Sequence, residues 1–199
     1  MTPEQLNIQG ACLICTKPSS TRCGGCKNVL YYSKDCQKED WKSSHKLICK
    51  QFSEIITTRP SPQHCLAVLF PVDEEKPKLV WLEHGVSYAG TGIFHDEFEK
   101  YFGSYAGTGN MSITVNPVLA RPLSQVIYLR YGENFLSDGS KPNKSIAWIK
   151  KSVPDEFIWK GPVLAIARLG RDLRAADFRH VVDQLRWYGN GTRQELYWR

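Results

Sequence analysis

Six of the seven cysteines in this 199-residue chain, with one histidine, fall in its first 49 residues, as Cys12-x2-Cys15-x7-Cys23-x2-Cys26-x9-Cys36-x8-His45-x3-Cys49. Cysteines at that density either pair as disulfides or bind metal. The two C-x2-C steps favour zinc, because thiolates separated by two residues can reach one tetrahedral ion from a single tight turn. His45 and Cys49 stand at i and i+4, so a helix over Ser44–Phe52 would point both at one metal. Disulfides need an oxidising compartment, and the polar start Met1-Thr-Pro-Glu-Gln-Leu carries no apolar run of a secretory signal. The expectation is an intracellular zinc protein, in the nucleus, the cytoplasm or both.

The residues between the ligands narrow the reading. Two C-x2-C pairs, then Tyr31, Ser33, Cys36-Gln37, Asp40-Trp41 and a closing His45-x3-Cys49, resemble a MYND-type zinc finger over residues 12–49. One position departs: Tyr32 stands where that family has its fifth ligand, a cysteine. The resemblance implies a small cross-brace in which alternate ligand pairs share an ion. It assigns Cys23, Cys26, His45 and Cys49 to one tight Zn2+ site, and leaves Cys12, Cys15 and Cys36 as an incomplete second site. A phenol ionises at about pH 10 and offers a hard oxygen, so Tyr32 is a poor zinc ligand. Water or Asp35 would finish such a site. Catalysis at an open three-cysteine zinc is disfavoured, since the signatures of nucleobase deaminases are absent. Cys65, another possible filler, lies in an apolar stretch and reads as a buried small hydrophobe.

The same resemblance implies a non-enzymatic protein–protein interaction module that docks proline-containing peptide segments, with Gln37 and Trp41 as its partner-binding residues. At i and i+4 on one helix face, the amide can bond a peptide backbone while the indole packs on a proline ring. The competing reading of Trp41 is a hydrophobic anchor inside the finger. By analogy the partners are nuclear or cytoplasmic proteins, with a role in transcription regulation. The runner-up function is nucleic-acid binding through Lys34, Lys38, Lys42, Lys46 and Lys50, which recur every four residues and would form a basic ridge on a helix. The net charge of +6 argues weakly for it, because residues 1–60 hold nine Lys/Arg against five Asp/Glu, and zinc-bound thiolates lower that balance further.

Residues 1–58 are too few to bury a core without metal, so ligation must supply their folding free energy. Arg59-Pro-Ser-Pro62 marks a boundary. It carries little apolar surface, so residues 63–199 are expected to fold independently of the finger. Cys65–Phe70, Lys78–Glu83, Ile113–Val115, Val126–Arg130, Ile146–Ile149 and Pro162–Ala167 read as strands. Phe94–Phe102 reads as a short helix. Phe178, Val181, Val182, Leu185 and Tyr188 follow helical spacing up to Gly189, which places His180 on the exposed or boundary face. The fold expected for residues 63–199 is an α+β domain with a mostly antiparallel sheet and a C-terminal helix. This region resembles those that follow MYND fingers in uncharacterised fungal proteins, which implies no activity.

Two enzyme readings are weak. Gly85-Val-Ser-Tyr-Ala89 nearly forms a nucleophile elbow around Ser87, with Asp172 and His180 as candidate triad partners, but its final glycine is alanine. A SET-type methyltransferase would require an Asn-His-Ser-Cys step, and only His64-Cys65 is present. The segment Ser87–Gly92 recurs unchanged as Ser104–Gly109, and both copies read as glycine-rich loops. No apolar run reaches the roughly 18 residues of a membrane span.

Overall fold

The computed structural model describes residues 10–87, 90–93, 95–103, 107–150 and 158–188. Its first part is built from two tight turns. In each, a C-x2-C step is followed by a non-glycine residue at positive φ, Thr16 at 62° and Lys27 at 59°. The reversal is closed by Thr16 N–H on Cys12 O and Lys27 N–H on Cys23 O, both at 3.1 Å. Then comes α1, Lys34–Ser43, whose first turn is capped by the Ser33 hydroxyl accepting from Cys36 N–H. It stops at Ser44. A single 3₁₀ turn, His45–Leu47, leads into α2, Cys49–Ile55. The helix expected over Ser44–Phe52 is therefore broken at Ile48.

Beyond the linker run β1 (His64–Phe70), β2 (Lys78–Ser87), β3 (Gly90–Ile93), α3 (His95–Phe102), β4 (Thr108–Asn116), β5 (Arg121–Gly132), α4 (Lys144–Ile149), β6 (Val163–Ala167) and α5 (Ala175–Trp187). The six strands form one sheet in the order β3-β2-β1-β6-β5-β4, with every neighbouring pair antiparallel. Alternation assigns the faces. Leu66, Val68, Phe70, Val163 and Ala165 turn towards α5 and the N-terminal segment, while Cys65, Ala67, Leu164 and Ile166 turn towards Phe98 of α3. Covered on both sides, β1 and β6 read as unbroken apolar runs, which is why they were legible from sequence. The edge-side strands β4 and β5 run longer than expected, because Asn110, Ser112, Ser124 and Gln125 extend them without an apolar signal.

Three expectations are corrected. Ile146–Ile149 is helical rather than a strand. Asn143 explains this: its side chain caps α4 by accepting from Ile146 N–H at 2.9 Å, while its amide donates to Phe70 O and Gly161 O at 2.9 and 2.8 Å. His180 is buried, at 7% exposure, because the polar side of α5 is covered as well as its apolar stripe. Where it is described, the repeated hexapeptide is mostly strand rather than loop, with Gly107 alone outside one. Ser87 ends β2, Gly90–Gly92 lie in β3, and Thr108–Gly109 open β4, so the two copies lead into opposite edges of the sheet. Residues 88–89 and 104–106 lie outside the described residues, as does Gly189. Gly109 has a packing reason: a Cβ there would sit 2.3 Å from the Tyr131 ring across the strand pair.

The two sides of the linker share one core, contrary to the independence expected of them. Val29, Tyr31, Ile48 and Phe52 belong to the same buried cluster as Val68, Leu79, Ile127, Phe178 and Leu185. Polar contacts reinforce it. Gln51 donates to Pro77 O and accepts from Leu79 N–H, each at 2.9 Å, and Arg186 donates to the Ser43 hydroxyl and carbonyl at 2.8 Å. Arg121 donates to Leu13 O. Among the described residues, no helix is long and apolar enough to cross a membrane.

Candidate metal centre and the adjoining groove

The second tight turn supplies Cys23 and Cys26, the 3₁₀ turn supplies His45, and α2 begins with Cys49. All four side chains are buried, and their ligand atoms lie within 4.8 Å of one another. A tetrahedral ion with Zn–S of about 2.3 Å and Zn–N of about 2.0 Å requires edges of roughly 3.8 Å between sulfurs and 3.5 Å between sulfur and nitrogen. The observed edges are 3.7 Å for Cys23–Cys49, 3.5 Å for Cys26–His45 and 3.2 Å for Cys23–His45. The set fits zinc. The i, i+4 argument for His45 and Cys49 arrived at the right pair through a different geometry, since a 3₁₀ turn and a helix start replace one continuous helix. Gly25 is part of the fit, because a Cβ there would stand 2.9 Å from the Cys49 sulfur.

Burial and the neighbouring sulfurs pull the protonation of the four groups in different directions. Burial pushes the Cys26 thiol up to about 12, and the neighbouring Cys23 and Cys49 sulfurs add to it. Burial also dominates at Cys49, which is raised. At Cys23 burial acts upwards, but the backbone N–H groups of Cys26 and Gly25 outweigh it and hold the thiol below its ordinary value. Burial lowers His45, favouring the neutral imidazole that a metal requires. Without a cation these groups oppose one another. A divalent ion removes the conflict by holding all three sulfurs as thiolates.

Cys12, Cys15 and Cys36 form the second group, with Cys15 and Cys36 sulfurs 3.8 Å apart. Tyr32 does not complete it. Its ring is 53% exposed and lies under the Lys17 ammonium at 4.9 Å. Asp35 is also turned to solvent, 3.8 Å from Lys38. Cys65 sits in β1 against α3, in the other buried cluster, with its thiol pushed up to about 11 by burial. The Ser33 hydroxyl instead donates to Cys36 Sγ at 3.4 Å.

Gln37 and Trp41 come together as expected, on the outward side of α1. With Lys34, Lys38 and Lys42 they line an open groove of about 370 Å³. Trp41 is 45% exposed while one edge of its indole meets His45, with ring centroids 6.0 Å apart. It is therefore both a neighbour of the metal site and a surface. The five-lysine ridge is not continuous: only Lys34, Lys38 and Lys42 share α1, Lys46 lies in the 3₁₀ turn, and Lys50 in α2 pairs with Glu54 at 3.8 Å.

Sequence reasoning missed a buried ionic network behind α1. Asp40 accepts from the Tyr31 and Ser44 hydroxyls at 2.5 and 2.9 Å. Arg179 of α5 faces it at 3.7 Å and donates to Asp183 at 2.6 Å, and Asn116 donates to Asp183 at 3.0 Å. Tyr31 and Asp40 had been visible only as motif positions, and nothing in the sequence links them to Arg179. The hydrolase constellation does not assemble. Asp172 is engaged by Arg59 and by Leu66 N–H, His180 meets Asn116 at 2.9 Å, and the element after β2 is its antiparallel neighbour β3 rather than a helix.

Residues 12–49 match the MYND finger family. The relatives include Ubiquitin carboxyl-terminal hydrolase 19 of Arabidopsis thaliana, 51% identical over 41 residues, which are 21% of this chain and 6% of that protein. Tudor domain-containing protein 1 of Oryzias latipes is 49% identical over 41 residues, 21% of this chain and 4% of that protein. SET domain and MYND-type zinc finger protein 6 of Schizosaccharomyces pombe is 36% identical over 81 residues, 39% of this chain and 17% of that protein. The chain thus spans a small fraction of each of these relatives. No solved structure gives a significant match. The shared element is the metal-binding segment, and residues 12–49 are a MYND-type zinc finger, a protein–protein interaction module.

Proposed function

We propose that this chain is a non-enzymatic adaptor whose finger docks extended, proline-containing segments of partner proteins along α1, in the nucleus, the cytoplasm or both, with a role in transcription regulation. The observation that carries this reading is Trp41. An indole left 45% exposed on the helix that leads into the metal site, beside the Gln37 amide, is the anchor such a segment needs. A proline-bearing chain is already extended, so it loses little entropy on docking. The Gln37 side chain can pair with its backbone while the indole packs on a proline ring.

The test is a titration of the full, zinc-loaded chain with labelled proline-containing peptides. Trp41→Ala should weaken binding by about 2 kcal/mol, roughly thirtyfold. Gln37→Ala should cost about 1 kcal/mol. Because Trp41 touches His45, zinc content is measured on the same samples. Two variants that keep their zinc and bind as tightly as wild type would sink the reading.

A further inference from the structure

Resting on that docking reading, we infer that the segment the groove takes is acidic, with carboxylates at alternate positions beside its proline. The lining residues form two adjacent rows on α1. Gln37 and Trp41 make one row, and Lys34, Lys38 and Lys42 make the other, with Lys34–Gln37 and Lys38–Trp41 related as i, i+3 neighbours. Along a helix, residues four apart are separated by about 6 Å. In an extended chain, side chains on one face recur at about 6.6 Å. A carboxylate at every second position therefore keeps step with three successive ammonium groups, and flexible lysine stems absorb the small mismatch. The opposite edge of the same segment lies on Gln37 and Trp41.

Among the described residues the charge of the groove is largely unanswered. Among the described residues no carboxylate pairs with Lys34 or Lys42. Lys38 meets Asp35 only at 3.8 Å, with side chains 72% and 92% exposed, a pair that exchanges readily for an incoming partner. Glu39 points away, towards Arg179 at 3.8 Å, and Asp40 is buried. The rim is cationic and its floor is aromatic. Nucleic acid fits less well, because binding it draws on many phosphate contacts and the lysine row stops at the end of α1.

The experiment is a polarisation titration of the zinc-loaded full chain with a labelled acidic proline peptide, its Asn/Gln counterpart, and labelled DNA. Three exposed pairs together predict that the acidic peptide binds about tenfold tighter than the neutral one. That advantage should vanish on raising salt from about 0.05 M to about 0.5 M. It should also vanish in a Lys34→Gln, Lys38→Gln, Lys42→Gln variant and persist in the Lys→Arg triple variant, both with unchanged zinc content and melting. Equal binding of the two peptides would overturn the acidic preference and leave the docking reading standing. Binding of neither peptide would overturn both. Lysine-dependent DNA binding with no peptide binding would hand the groove to nucleic acid.

Discussion

Substituting Arg179 by methionine keeps the aliphatic stem of the side chain and removes a guanidinium that lies between two buried carboxylates. Asp183 loses a 2.6 Å charge-assisted hydrogen bond and keeps the Asn116 amide. Asp40 loses only an ion at 3.7 Å and keeps the Tyr31 and Ser44 hydroxyls. Removing one member of a buried pair commonly costs about 3–5 kcal/mol, because the survivor is left charged and desolvated. Here both carboxylates retain neutral donors, so the lower end, about 3 kcal/mol, is expected. For a protein of this size that corresponds to a melting temperature lower by roughly 6–12 °C.

Urea unfolding of zinc-saturated protein, followed by far-UV circular dichroism, reads the change directly. The decisive comparison is the Arg179→Met, Asp183→Asn double variant. Removing the stranded charge should recover a large part of the loss, as uncompensated burial demands. A loss below about 1 kcal/mol for Arg179→Met at an unchanged m-value would show that the network is bypassed by water, and the reasoning would fail.

Four further outcomes follow from the same structure. His180 is held down to about 4, first by burial, then against the opposing pull of Asp177, with Arg121 and Arg179 adding to the depression. Since the unfolded side chain titrates at about 6.5, its contribution of about 3 kcal/mol is present above that pH and lost as pH falls towards 4, and His180→Gln should flatten this slope in pH-dependent unfolding. Tyr32→Cys should raise zinc content from one ion towards two, and raise the melting temperature, by metal analysis and calorimetry. Chelation should lower the stability of the sheet as well as the finger, seen as faster amide exchange in β1 and α5, because the core is shared. Asn143→Ala should cost about 2–3 kcal/mol in denaturant unfolding, combining a lost helix cap with two buried carbonyls left without their donor.

The metal residues were legible because coordination chemistry constrains type and spacing so tightly that few other readings survive. The central strands were legible because burial on both faces makes them uniformly apolar. Ile146–Ile149 misled for the same reason: a short apolar run carries no period, and Asn143, which decides it, reads locally as a turn residue. His180 was misplaced because periodicity describes one stripe of a helix and is silent about what covers the others. The shared core was invisible for a further reason. A proline linker with little apolar surface says how the chain turns, and nothing of which surfaces meet after the turn.

Those hidden contacts explain how a finger with one incomplete metal site can still present a defined groove. Cys36, Asp40 and Ser43 lie on one side of α1, reaching the second cysteine group, Arg179 and Arg186 respectively. Lys34, Gln37, Lys38, Trp41 and Lys42 lie on the other. Each inward residue is fixed by a different partner, two of them supplied by α5. The helix is therefore held along its length even where Tyr32 leaves the cysteine group short of a ligand. A helix fixed from behind offers its outer rows without a backbone ordering cost on binding, which would help preserve affinity for a short segment. The α+β domain is on this reasoning a brace for the finger. Weakening Arg179 should loosen the groove before it changes any residue that lines it.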